Sequence, residues 1–201
     1  MKRATGSNPS LPTIGVSIQP ALDGHSFSVR EFVLPTEGPV TVEVLTPRTL
    51  LVPERLFDRQ AAPAFLAAGG LALRDGECAA CSDPQQGAVA VMALPAEALR
   101  QMRERFGERL RFTTPLLAEP ALRQRSVLLH QAAGVLYIKV YDDTLRFAEA
   151  ISAPTEADIV ALTERLDAEF PLRGYRLFLA GEDTKQLRRS LGKRFKEVTC
   201  E

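Results

Sequence analysis

The sequence predicts an α/β protein of mixed sheets with flanking helices, and three observations carry that prediction. Several short runs alternate apolar and small or polar residues with the period of a strand. Other stretches place apolar residues three and four apart, the period of a helix. The order of these elements then repeats along the chain. At 201 residues and 45% hydrophobic composition, the chain can bury the core of one large domain or two small ones.

The elements follow in order. Residues 1–12 open with Gly, Ser, Asn and Pro and bury nothing, which predicts a disordered N-terminus. Thr13–Ile18 and Ser26–Phe32 alternate on either side of Asp23-Gly24, the signature of a hairpin. Val40–Leu45 is a third strand. Pro53 is expected to open a helix that Pro63 breaks into two pieces and Gly69-Gly70 ends. Ala88–Met92 reads as a buried strand. Pro95 then starts a helix with Leu99, Met102 and Phe106 on one face, and Arg109–Thr113 adds a short strand.

The second half repeats this order. Ser126–His130, Val135–Tyr141 and Leu145–Ile151 read as three strands, with a turn at Asp142-Asp143. Thr155 and Asp158 have the spacing of a capping box ahead of a helix striped by Ile159, Leu162, Leu166 and Phe170. Tyr175–Ala180 is a fourth strand. A last helix starts at Asp183 or Thr184, with Leu187, Leu191 and Phe195 on one side. Each half therefore reads strand, strand, strand, helix, strand, helix. That pattern is the ribonuclease-H-like unit, and two copies make the actin-like ATPase architecture. On this reading residues 13–113 are the first ribonuclease-H-like lobe, 114–125 a connector and 126–201 the second lobe.

Composition narrows the function. Lys and Arg number 25, as do Asp and Glu, and residues 1–112 and 113–201 are each internally balanced. A dedicated nucleic-acid or membrane-surface binder shows a basic excess, so neither partner is expected. No secretory leader or membrane-length apolar run is visible, and three cysteines are an odd number for a disulfide framework. The expected location is the cytoplasm.

Ser17-Ile18-Gln19, Leu22-Asp23-Gly24-His25-Ser26-Phe27, Leu51-Val52-Pro53-Glu54-Arg55-Leu56-Phe57 and Phe147-Ala148 leading into Thr155–Asp158 together resemble an uncharacterised bacterial family, mostly of Bacteroidetes. The resemblance covers nearly the whole chain from Thr13 and implies two-lobed, actin-like proteins with no assigned function. The wider superfamily binds ATP with three loops, and all three depart from its pattern here. Gln19 stands where strand one normally ends in an Asp, and it cannot organise a magnesium ion. His130-Gln131-Ala132-Ala133-Gly134 has a histidine in place of the second carboxylate and one remaining glycine. Gly181 suits the adenosine loop, but Glu182 places a carboxylate beside a polyanion. A ribonuclease-H-type nuclease is excluded too, because Thr13–Gln19 carries no metal-binding acid.

Other residues admit a chemical and a plainer reading. Cys78 and Cys81 have the spacing of half a zinc site or a redox dithiol, but a loop between Gly76 and Pro84 makes two incidental cysteines the favoured reading. His130 has no nucleophile beside it and reads as a hydrogen-bonded strand end; His25 follows a turn. Lys185, Arg188, Arg189, Lys193, Arg194 and Lys196 form a basic run without an acid, read as the solvated face of the last helix, with an acidic partner or RNA as the alternative.

No catalytic, cofactor-binding or metal residue is assigned. The expected function is that of a non-catalytic, actin-like interaction or scaffold protein with a degenerate nucleotide site, serving a protein partner or a second copy of itself. The alternative is a nucleotide- or anion-binding actin-like ATPase or switch that uses a non-standard set of Arg and Lys in the cleft between lobes.

Overall fold

The computed structural model describes residues 38–152 and 155–200. The expected disordered N-terminus, the hairpin of Thr13–Phe32 and the loop after Gln19 lie outside the described residues. The chain is an α/β fold, with three sheets and flanking helices among the described residues.

The second half builds the largest sheet. Strands β6 (Ser126–Ala132), β7 (Val135–Asp142) and β8 (Thr144–Ser152) form an antiparallel meander. Helix α3 (Glu156–Glu169) follows, then β9 (Arg176–Gly181), α4 (Thr184–Leu191) and β10 (Glu197–Cys200). β9 pairs parallel to β6, and β10 parallel to β9, so the order across the sheet is β10-β9-β6-β7-β8. The capping box forms as its spacing predicts: Thr155 accepts from the Asp158 N–H while Asp158 accepts from the Thr155 N–H.

Period-two alternation gives each face of β7 a separate role. Leu136, Ile138 and Val140 face α3 and α4 and join one core with Leu162, Leu166 and Leu187. Val135 and Tyr137 face the other way, against Leu45 of the first half and Leu116 of the segment that leads into β6.

The described first half contains two smaller sheets. β1 (Val40–Glu43) pairs parallel to β5 (Leu110–Thr113). β2 (Thr49–Pro53), β3 (Glu77–Cys81) and β4 (Ala88–Pro95) form an antiparallel sheet with β4 in the centre. Helix α1 (Ala62–Ala68) covers the Val89, Val91 and Ala93 face; α2 (Ala96–Phe106) covers Ala90, Met92 and Leu94.

Four expectations need correction. Pro53 ends β2 and opens only one 3-10 turn, Glu54–Leu56, in place of the expected helix; the Glu54 N–H, which follows it, still donates across to Gly87 O at 2.8 Å. Pro63 falls in the first turn of α1, where its missing N–H costs nothing, so it starts the helix and does not break it. The cysteine pair lies in β3, not in a loop. The basic run is not one helix: α4 stops at Leu191, and the chain turns into the short edge strand β10, which the sequence reading missed. The stop at Gly69-Gly70 forms as expected, with the Leu71 N–H donating to Leu66 O and Gly70 at φ +75°.

Candidate functional site

Two of the three expected nucleotide loops are described, and both lie at one end of the five-stranded sheet. The β6–β7 turn holds Ala133 and Gly134 at positive φ, a tight two-residue hairpin. Beside it, Gln131 pairs with Gly181, and the Glu182 N–H donates to Gln131 O at 2.7 Å. A Cβ on Gly181 would stand 2.1 Å from that same oxygen. The glycine is needed for strand contact, so its bare backbone is turned to the neighbouring strand and not to a ligand.

His130 occupies the position next to this contact. It is half-buried and sits edge-on to Tyr137, with ring centroids 6.3 Å apart. Burial pulls its pKa down, against a smaller upward pull from Glu182, so the imidazole is neutral at neutral pH. The loop end thus offers a neutral ring and an exposed carboxylate where a nucleotide would need a magnesium ligand and open N–H groups. Among the described residues, no group of three or more His, Cys, Asp or Glu is arranged to hold a metal ion.

Cys78 and Cys81 stand three apart on a strand and therefore point to opposite faces. Cys81 joins the core under α1 with Ala79, whereas Ala80, on the Cys78 face, joins the core under α2. Their Cα atoms are about 10 Å apart by strand rise, beyond disulfide reach. Burial raises both thiol pKa values, opposed by Arg103 at Cys78 and by Arg59 at Cys81. Cys200 lies exposed on β10.

The basic segment is only partly free. Arg194 donates to Glu164 of α3 at 2.8 Å, while Lys185, Arg188 and Arg189 are exposed on α4. A groove of about 770 Å³ runs between β3 and β5 and is lined by Arg59, Arg103 and Arg111 with Asp83 and Glu108. Arg111 already pairs with Asp83 at 3.3 Å.

A different residue is the strongest chemical candidate. Lys139 lies in the middle of β7 and is only 4% exposed. It lines a cavity of about 230 Å³ between the two halves, with Leu51 and Gln86 from one side and Tyr141 and Thr144 from the other. Its Nζ donates to Ala118 O at 2.7 Å and lies 5.3 Å from the centroid of the Tyr141 ring. Burial lowers its pKa to about 8, with Glu119 raising it and Arg123 lowering it further. Burial also pushes the Tyr141 phenol up to about 12. Arg123 donates through Nε and Nη2 to Glu119 and through Nη2 to Gln86, a contact that spans the two halves.

Sequence reasoning passed over Lys139. The signal was present: one charge inside Val135–Tyr141, a strand apolar on both faces, has no solvated side to occupy.

No family model matches the chain, and no curated protein matches it. Solved structures do. A protein of Bacteroides thetaiotaomicron, described as having an actin-like ATPase fold and unknown function, superposes with a TM-score of 0.67 at 15% identity, over 81% of this chain and 68% of that one. That likeness shows an actin-like fold. The cytoplasmic domain of EpsL, an inner-membrane component of the type II secretion system of Vibrio cholerae, matches at a TM-score of 0.38 and 11% identity, over 81% and 65% of the two chains. Among the described residues, no helix is long and apolar enough to cross a membrane.

Proposed function

We propose that the chain is a two-lobed, actin-like interaction protein, each lobe a ribonuclease-H-like unit, that acts through its shape and not through ATP hydrolysis. The order across the large sheet supports the unit in the second half. Counting that half's strands from its start, it runs 5-4-1-2-3 with only the second strand antiparallel to the rest. One observation carries the loss of the nucleotide site. Gly181 is pressed against Gln131 O, where a Cβ would be 2.1 Å away, beside a neutral His130 and the carboxylate of Glu182. A phosphate cradle needs open N–H groups and a cation ligand there.

The partner would be a protein or a second copy of this chain, in the cytoplasm. Among the described residues β3 pairs only with β4 and β5 only with β1, so the groove between them presents two strand edges for such a contact. Thermal-shift measurements with ATP, ADP and GTP, each with magnesium, test the reading. No change in Tm is expected. A reproducible rise of several degrees overturns it.

A second reading, a small-anion site between the halves built from non-standard residues, is favoured by one specific observation: the buried Lys139 amine and the Arg123 guanidinium line the same cavity.

A further inference from the structure

We propose that the Lys139 cavity is a covalent site for a small carbonyl acid, of the size of glyoxylate or pyruvate, whose carbonyl carbon is taken by the Lys139 amine and whose carboxylate is received by Arg123. The inference deepens the anion reading of this cavity and rests on it for the carboxylate alone. It is independent of the nucleotide loops, which lie at the other end of β6 and β7.

Three features of the geometry support it. First, a primary amine is buried almost completely yet lines open space: about 230 Å³ holds roughly seven water volumes, ample for a molecule of five or six heavy atoms. Second, the amine is held in place by one acceptor, Ala118 O at 2.7 Å, and by the Tyr141 ring, so its position is set while its remaining N–H groups stay available. Third, Arg123 donates through Nε and Nη2 to Glu119 and through Nη2 to Gln86, so that its Nη1 can donate to a second carboxylate.

Burial makes the nitrogen a nucleophile. With a pKa of about 8, roughly a quarter of the amine is neutral at pH 7.5, against about one part in a thousand for an ordinary lysine. The lone pair of Nζ adds to the carbonyl carbon as the C=O π pair moves to oxygen, and the proton lost by nitrogen is taken up by that oxygen. Loss of water from this carbinolamine gives the imine. No oxidant or reductant is consumed. The charged and titratable groups that face the amine are Glu119 and Arg123 from the segment before β6, Tyr141 on β7 itself, and Asp143 at the β7–β8 turn.

The test is reductive trapping. Full-length protein is incubated with glyoxylate and cyanoborohydride at pH 7.5, digested, and the modified lysines are located by mass spectrometry. Modification at Lys139 at least tenfold faster than at the exposed Lys185, Lys193 and Lys196 is expected. Arg123→Gln should cut the glyoxylate rate at Lys139 several-fold more than it cuts acetaldehyde trapping there; the acetaldehyde arm reads the rise in amine pKa that follows loss of the guanidinium, and the excess isolates the carboxylate contact. Lys139→Arg, checked for folding by circular dichroism, should abolish the fast modification. Equal or slower modification at Lys139 than at the exposed lysines of folded protein overturns the proposal. An Arg123→Gln loss no larger for glyoxylate than for acetaldehyde overturns the carboxylate contact and with it the anion reading.

Discussion

The second half buries its helix-facing side chains in one continuous core around β6, β7 and β9, whereas the first half divides the same task between the two faces of a three-stranded sheet. Long strands account for the difference. β6, β7 and β8 each run seven residues or more, so one sheet can carry α3 and α4 on one face and still present a second face to the first half. Among the described residues of the first half only β4 is that long, and α1 and α2 occupy both of its faces. The second half therefore has a free face to build a cleft with, and Lys139 lies on that face. The first half supplies the opposing wall through Leu45, Leu51 and Gln86, and the segment before β6 adds Leu116.

The largest expected effect breaks the continuous core. Leu136→Ala removes a fully buried side chain from it and should cost about 3–4 kcal/mol in urea unfolding. Leu66→Ala, in the smaller core under α1, should cost less; the opposite ranking would sink the contrast between the halves.

Lys139 tests the free face. Its folded pKa of about 8 lies below the ordinary 10.5, so between those values the unfolded chain holds a proton that the folded chain has lost. Native stability should therefore rise with pH across that window, by up to about 3 kcal/mol relative to Lys139→Met, which cannot titrate there. A stability difference that stays flat from pH 8 to 10.5 means the amine is not buried as described.

Gly181→Ala probes the closed loop end. With φ at +80° and a carbonyl oxygen in the way, it should cost roughly 2 kcal/mol or more in thermal unfolding. A neutral outcome would reopen that end to ligands. Thr155→Ala removes the side-chain half of the capping box on α3 and should cost about 1 kcal/mol, visible as a small drop in Tm. The smallest change belongs to Arg194→Ala. Its partner Glu164 is well exposed, and the loss should stay under about 0.5 kcal/mol by the same measurement.

Much of the second half is legible in the sequence because its signals are local. The short apolar runs of Ser126–His130 and Val135–Tyr141, the apolar stripe of α3 and the Thr155–Asp158 box each specify their element without outside help. The first half misled where local signals were ambiguous. Pro53 suits a helix start as well as a strand end, and only the β4 partner decides between them. Glu77–Cys81 has a polar, glycine-bounded neighbourhood that reads as a loop until β4 offers it hydrogen bonds. β10 is four residues long and mostly exposed, with no periodicity of its own.

By itself the sequence determined the α/β class, most of the strands and helices of the second half, and the departures of His130 and Glu182 from a nucleotide-binding pattern, because hydrophobic period and residue chemistry are properties of neighbours along the chain. Only the tertiary structure decided which sheet each strand joined, that Cys78 and Cys81 point apart, that Gly181 is occupied by Gln131, and that Lys139 is enclosed. Those depend on what lies across the strand or across the cleft. A charge in an apolar strand becomes a low-pKa amine only when a second layer comes down on it and removes the water.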